Sequence, residues 1–431
     1  MSSYTRLVNW TRTGTLAAAA QATVQLLGFA AGIVVIRSLA PQQYALYTIM
    51  TTALGTLTVL TDSGVNSGVL AQGGAVWHDK HGLGVVVATA LQLRRRLALL
   101  AIALALPLAL ALLHHQGAGW VEAAIIAASI LPLFLATVTA QLLEVVPRLH
   151  QTVWPVQRLQ VATNLGRALL VALLTPLWPI AAVACLAAAP PQWWLNWRLR
   201  ALASVHADWH TASDPAVRHR LLSQVRRTMP GAIYYSVASQ LTVWLISVAG
   251  RPTSVAAVGA LGRLAMLLSV LSSAFAVVAV PRFARIPASE QELIGRRYWQ
   301  AQLALALLCS VPLLALASFP DQVLRLLGPH YHGLGREALL MGLSGAAALM
   351  AGAAFSLGAA RGIIAPPQYV IPCCLLGQIA LVVLLPIDTV AGVIWIGALS
   401  AVTQWLMHVI YFQCTADRRA ASRPDALRPD F

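Results

Sequence analysis

Long apolar runs separated by short polar connections set the pattern of this chain. Cut at those runs, the sequence yields twelve spans: 13–36, 45–73, 97–113, 120–146, 159–177, 178–197, 229–250, 255–281, 299–318, 337–360, 368–386 and 390–413. At about 1.5 Å per residue most are long enough to cross a bilayer as helices. The third is the exception, because Arg94, Arg95 and Arg96 interrupt an apolar stretch that begins near Gly82. The pattern puts these arginines at the membrane edge and leaves 82–93 as an interfacial segment. Within several spans the polar positions recur at helical spacing. Thr51, Gly55, Thr58, Asp62 and Asn66 share one face, and Thr137, Gln141, Glu144 and Arg148 another. Gln160, Asn164 and Arg167 form a third stripe, Ser236, Gln240 and Ser247 a fourth. Such stripes predict a hydrated interior between helices.

The longest polar connection, roughly 198–228, divides the spans six and six and carries Arg198, Arg200, Arg218, Arg220, Arg226 and Arg227. A shift of 214 residues lays Arg12 on Arg226, Arg37 on Arg251 and Ala45 on Gly259. Each half also closes with a Pro-containing hairpin, at Thr175–Pro179 and at Leu385–Asp388. Six spans per half give both halves the same orientation, which is a parallel repeat about an axis along the membrane normal. The expected fold is therefore an all-α polytopic membrane protein of about twelve transmembrane helices in two six-helix lobes. Its domains are an N-terminal lobe over 1–205, a basic linker over 206–228, a C-terminal lobe over 229–413 and a tail over 414–431.

Composition agrees: 58% hydrophobic residues, 10% charged residues and a mean hydropathy of +0.73 exclude a water-soluble globule of this size. The net charge of +15 does not point to nucleic acid, because the arginines sit in short loops where anionic lipid attracts them. Of 29 Lys and Arg residues, 23 lie in the termini and every second connection, and four in the others. The positive-inside rule then places both termini in the cytoplasm. Only Arg167 and Arg263 remain inside spans. Arg6 and Arg12 precede an apolar stretch running to about Ile36, too long for a signal-peptide core, which predicts a retained first helix. Cys185, Cys309, Cys373, Cys374 and Cys414 have no metal-ligand spacing and read as small hydrophobes.

Catalytic chemistry has little to stand on. Lys80 is the only lysine and no glycine-rich loop precedes it, so a phosphate-binding ATPase loop is excluded. There is no HExxH, no GxSxG and no paired-Cys metal motif, and the reading is of a protein that is not an enzyme and needs no cofactor. His206 and His210, four apart around Asp208, could ligate a metal on a helix, but a solvated pair is the simpler expectation. More follows from the ionisable groups inside the spans, Asp62, Glu144, Arg167 and Arg263, because each costs about 3 kcal/mol at mid-bilayer and so faces a cavity or a partner. Glu144 could pair with Arg167 across adjacent helices or with Arg148 four residues on. Gly28 and Gly32, beside Gln21 and Gln25, form a GxxxG suited to close helix packing.

Two stretches also carry a resemblance. Val35-Ile36-Arg37-Ser38-Leu39-Ala40-Pro41-Gln42-Gln43-Tyr44-Ala45-Leu46-Tyr47 resembles the "R-x-L-x-P-x-x-Y-G-x-Y" segment of Wzx-like polysaccharide-biosynthesis flippases, with Ala45 in place of the usual glycine. Val323-Leu324-Arg325-Leu326-Leu327-Gly328-Pro329-His330-Tyr331 is similar to the same family's "L-L-x-L-L-G-x-x-Y" stretch. These flippases belong to the multidrug/oligosaccharidyl-lipid/polysaccharide (MOP) exporter superfamily, whose MATE-like layout of twelve spans the count matches. The resemblance implies movement of a polyprenyl-pyrophosphate-linked oligosaccharide across a bacterial inner membrane, alongside membrane lipids, a polysaccharide polymerase and export machinery. Guanidinium groups suit the pyrophosphate, so Arg263 and Arg37, then Arg12 and Arg167, become head-group candidates. Gln25, Asn66, Asn164 and Gln240 become sugar contacts, and Asp62 and Glu144 the ion-coupling carboxylates. The lobes would rock around a cationic central cavity. A MATE-type drug or cation antiporter stays open, and so does a membrane polymerase or glycosyltransferase, although the longest outward loop, about 319–336, is short for the latter.

Overall fold

The apolar runs end where a cap, a proline or a glycine stops them, and among the described residues everything regular is helix. The computed structural model describes the backbone of residues 3–62, 64–287 and 290–421, with side chains throughout except at 3–18, 153, 277, 278, 291 and 416–421. Its internal contacts fall into two units, Met1–Ala260 with Asp388–Val390, and Leu261–Ile387 with Ala391–Phe431. Among the described residues eleven helices are long and apolar enough to cross a membrane. The protein is a polytopic membrane protein.

The first unit contains α1 (Ser3–Ser38), α2 (Pro41–Asp62), α3 (Val65–Ala75), α4 (Lys80–His115), α5 (Trp120–Leu143), α6 (Val145–Leu149), α7 (Val153–Leu177), α8 (Ala181–Leu186), α9 (Ala189–Ala203) and α10 (Pro215–Ala249). α11 (Pro252–Met266) begins in it and ends in the second unit. Three expectations are corrected here. Span 178–197 is two short helices, because Pro190 and Pro191 lack the N–H groups a helix interior needs and sit instead in the first turn of α9. Span 97–113 belongs to one continuous helix from Lys80 to His115, about 54 Å long by its rise per residue. Residues 82–93 are the N-terminal turns of that helix, not a separate segment, and Leu83, Val86, Val87, Ala90 and Leu93 are all buried within the protein. Finally, the basic connection is helical from Pro215 onward, continuous with the apolar part of α10.

Local chemistry explains both long helices. Asp79 caps α4 by accepting from the His81 N–H at 3.0 Å, and Asp214 caps α10 by accepting from the Ala216 N–H at 2.8 Å, with Pro215 supplying a first residue already set for helix. The segment between α9 and α10 is pinned to α4: the Asp208 N–H donates to the Lys80 carbonyl at 3.0 Å, and the Asp214 N–H to Thr89 Oγ1 at 3.0 Å. Val65 and Val69 of α3, Val86, Ala90 and Leu93 of α4, Leu142 and Val145 around α6, and Val217, Leu221 and Val225 of α10 then close into one apolar cluster. The corner between α2 and α3 needs a glycine. Gly64 has φ +90° and lies so close to Thr228 that a Cβ would overlap the Thr228 side chain.

In the second unit, α12 (Leu268–Ala284), α13 (Gln291–Ser318), α14 (Pro320–Leu327), a 3-10 turn at Pro329–Tyr331, α15 (Gly335–Ala360), α16 (Pro367–Leu384) and α17 (Val390–Ala421) follow in order. α15 packs on both α12 and α13. Tyr298 of α13 stacks on Phe412 of α17 with ring centroids 4.0 Å apart, inside a cluster that includes Phe283, Leu357 and Val409. Arg361 Nη1, just past α15, donates to the Ile286 carbonyl at 2.6 Å and holds the end of α12.

Candidate functional site

The polar stripe of α2 does not line open space along its whole length; its lower end closes on an arginine. Arg94 is 1% exposed. Its Nη1 donates to Asn66 Oδ1 at 2.9 Å, while Nη2 donates to Gln141 Oε1 at 2.8 Å and to Asp62 Oδ1 at 3.2 Å. Asp62 Oδ1 also accepts the Asn66 backbone N–H at 3.2 Å. One guanidinium therefore ties α2, α3, α4 and α5 together through an ion pair and two amide acceptors. Its Nε is buried without a partner.

Arg94 is thus turned into the protein, whereas the sequence pattern treats all three arginines alike as a topology signal. The signal lay in its helical phase. Leu83, Val87, Ala90, Arg94, Ala98 and Ala101 recur at three and four residues and are all buried, so the first arginine of the triplet falls on the inward stripe. Arg95 and Arg96, one and two residues further round, are exposed.

A second polar cluster forms at the end of α5. Glu144 Oε2 accepts from Arg148 Nη2 at 2.6 Å, and Glu144 Oε1 accepts from Gln160 Nε2 at 2.8 Å. Of the two partners open to Glu144 in sequence, it is Arg148 that makes the ion pair. Asn164 donates to the Gln160 carbonyl at 2.9 Å, one turn along α7. Arg167 is half-buried further along α7, with its Nε unpartnered.

Upward along α2, the stripe meets α10. A Cβ on Gly55 would stand 3.1 Å from Gln240 Nε2, so Gln240 lies directly over that glycine. The Thr51 and Thr58 hydroxyls donate back to the carbonyls of Tyr47 and Leu54. Gln25 is half-buried on α1 and Arg37 is exposed in its last turn. Arg263 is half-buried in the last turn of α11, with Nη1 3.5 Å from Met266 Sδ. Arg12 lies outside the residues whose side chains are described.

Of the residues singled out in sequence, the structure brings Asp62 and Asn66 together on Arg94, Glu144 and Asn164 around Gln160, and Gln240 onto the α2 stripe. Arg94 and Gln141, the centre and one acceptor of the first cluster, were not among the expected site residues. Among the described residues no group of His, Cys, Asp and Glu could hold a metal ion, and His206 stacks on His150 at 3.8 Å.

Comparison with known proteins follows this geometry. No family model matches the chain, and no curated relative matches it. Among solved structures, it is similar to a multidrug resistance MATE family transporter of the MOP superfamily in an inward-facing conformation, with a TM-score of 0.69 and 15% identity over 92% of this chain and 95% of that one. An outward-facing structure of a transporter so described gives a TM-score of 0.63 at 16% identity, covering 96% of this chain and 95% of the other. A eukaryotic MATE transporter gives 0.64 at 12% identity, covering 96% and 99%. The chain shares the fold of these MATE transporters over nearly its full length.

Proposed function

We propose that this protein is a transporter that moves a polyprenyl-pyrophosphate-linked oligosaccharide across a bacterial inner membrane by alternating access. The observation that carries the choice of an anionic cargo is the occupation of the interior carboxylates. Asp62 is engaged by Arg94, and Glu144 by Arg148 and Gln160. A cationic drug would have to displace an arginine from either one. Arg167, by contrast, keeps a buried Nε–H without an acceptor, and a guanidinium suits phosphate oxygens. Arg167 and Arg263 are the proposed head-group contacts within the membrane, with Arg37 and Arg12 at its edges, and Gln25, Asn66, Asn164 and Gln240 as sugar contacts. In this reading Asp62 couples transport to an ion gradient: its protonation would loosen the pair with Arg94 and so the hold of α2 on α4.

The second reading is a MATE-type drug antiporter, favoured by the descriptions of the similar structures. One experiment separates the two: loss of the protein should lead to accumulation of a lipid-linked sugar on the cytoplasmic leaflet, whereas drug hypersensitivity alone selects the antiporter. In proteoliposomes, Arg167→Ala and Arg263→Ala should each slow translocation of a labelled lipid-linked oligosaccharide about tenfold or more, the loss of one charge-assisted hydrogen bond. Full rates in stable protein would remove these arginines from the site. In the same vesicles Asp62→Asn should no longer respond to an imposed proton gradient.

A further inference from the structure

On the outer side of the first unit, α4 and α9 flank α5 and leave a crevice over it of about 150 Å³. Leu91, Arg94, Arg95 and Ala98 form one wall, Leu135, Val138, Thr139 and Leu143 the floor, and Arg200 with Trp209 the far side. Three guanidinium groups line it and no carboxylate does. Arg94 turns both Nη atoms inward to Asp62, Asn66 and Gln141, but it also lines the crevice, and its Nε–H is without an acceptor. Trp209 likewise keeps a buried Nε1–H without an acceptor. Arg200 lies over the Trp209 ring, 5.2 Å from its centroid. Arg95 and Arg200 are exposed, and neither makes an ion pair among the described residues.

The surroundings say what kind of anion would come. Leu135 on the floor is exposed, and so are Leu99 and Leu100, one turn beyond Arg95 on α4. Trp193, Trp194 and Trp197 of α9 are also exposed, as tryptophans are where hydrocarbon meets headgroups. The crevice therefore joins a cationic end to an apolar surface. A water takes up about 30 Å³, so the space holds a few waters or the phosphate that replaces them.

We propose that this crevice is a binding site for an anionic phospholipid, with the phosphate between Arg95 and Arg200 and the acyl chains lying over Leu135 toward Leu99. The site belongs to the arginine-rich face of the membrane and is independent of which substrate the protein moves. Its occupation would brace α4 against α9 and neutralise the charge beside the Arg94–Asp62 pair.

Native mass spectrometry of the detergent-solubilised full chain tests it, with phosphatidylglycerol and phosphatidylcholine of identical acyl chains as probes. The wild type should retain phosphatidylglycerol preferentially. An Arg95→Gln/Arg200→Gln variant should bind it about twenty-fivefold more weakly, roughly fivefold for each arginine near the membrane surface. An Arg96→Gln/Arg198→Gln control removes the same charge from exposed neighbours that do not line the crevice, and should keep the preference. Equal losses in both variants, or no loss in the first, would overturn the site. So would displacement of phosphatidylglycerol by millimolar inorganic phosphate, which would make the ligand free phosphate rather than lipid. Should the crevice variant not be recovered monodisperse, Arg200→Gln alone is read the same way, with an expected fivefold change.

Discussion

Burying a guanidinium costs several kcal/mol unless its hydrogen bonds are replaced and its charge is balanced. At Arg94 both Nη groups find acceptors on three neighbouring elements while Nε does not, and the acceptors are unequal: Asn66 and Gln141 are neutral, and only Asp62 carries charge. The Asp62 side chain is 32% exposed while that of Arg94 is 2% exposed. Removing each partner should therefore have different consequences. Asp62→Asn leaves a buried cation with neutral acceptors and should destabilise by about 3 kcal/mol. Arg94→Met leaves a carboxylate that water can reach, at a smaller loss. The double variant Asp62→Asn/Arg94→Met should accordingly be more stable than Asp62→Asn alone, and thermal unfolding of the four proteins in one detergent measures it. Additive losses would mean that the pair is not the reason Arg94 can be buried. The site was partly legible at this scale. Asp62, Asn66 and Gln141 stood on visible stripes, but a run of three arginines matches a topology signal so well that the phase of the first one was overlooked. Charge type alone could not separate Arg94 from Arg95; the stripe from Leu83 to Ala101 could.

Helices were legible wherever a long apolar run set them, and their breaks where turn chemistry was local. The corner after Leu177 and the turn between α16 and α17 fall at the Pro-containing hairpins read from sequence. What escaped was the extension of helices past the apolar limit. α4 and α10 continue for several turns as amphipathic helix, because their N-terminal halves bury Val86, Ala90, Leu221 and Val225 against α3 rather than against lipid. A hydropathy criterion sees only the lipid-facing half of such a helix. These extensions bring three inter-helix turns together. His78 before α4, His150 after α6 and His206 after α9 lie side by side, with His150 stacked on His206 and edge-on to Trp77 at 5.4 Å. Burial, and then the charges of His206 and His78, push the His150 imidazole below its ordinary value of 6.5. As pH falls below about 6.5 the unfolded chain takes up a proton before folded His150 does, so stability declines until the folded site protonates as well. Unfolding temperature should thus drop between about pH 7.5 and 5.5, and His150→Asn should flatten the drop. An unchanged slope in the variant would place the pH sensitivity elsewhere.

For the whole molecule, orientation rests on the distribution of basic residues, and the burial of Arg94 bears on it directly. Taking Arg94 out of the count leaves 22 Lys and Arg residues against four in the opposite connections, so the asymmetry does not depend on this one buried residue. Helix length and composition add a constraint on parity. Between the turn at 204–214 and the turn at 328–334 lie three apolar segments, Pro215–Ala249, Pro252–Ala284 and Glu292–Ser318. If each of the three crosses, the two turns are expected on opposite sides of the membrane, whichever side is which. The basic-residue rule then assigns 204–214 to the cytoplasm. Single cysteines make both inferences measurable. With exposed Cys373 and Cys414 replaced by Ser, a membrane-impermeant maleimide should label Ser213→Cys only in inside-out vesicles and His330→Cys only in intact cells. Labelling of both from one side would break the helix count, since an even number of crossings would then separate them. Labelling from the reversed sides would leave the count standing and overturn the orientation. In that case the arginine-rich face, and with it the crevice at Arg95 and Arg200, would belong to the outer leaflet.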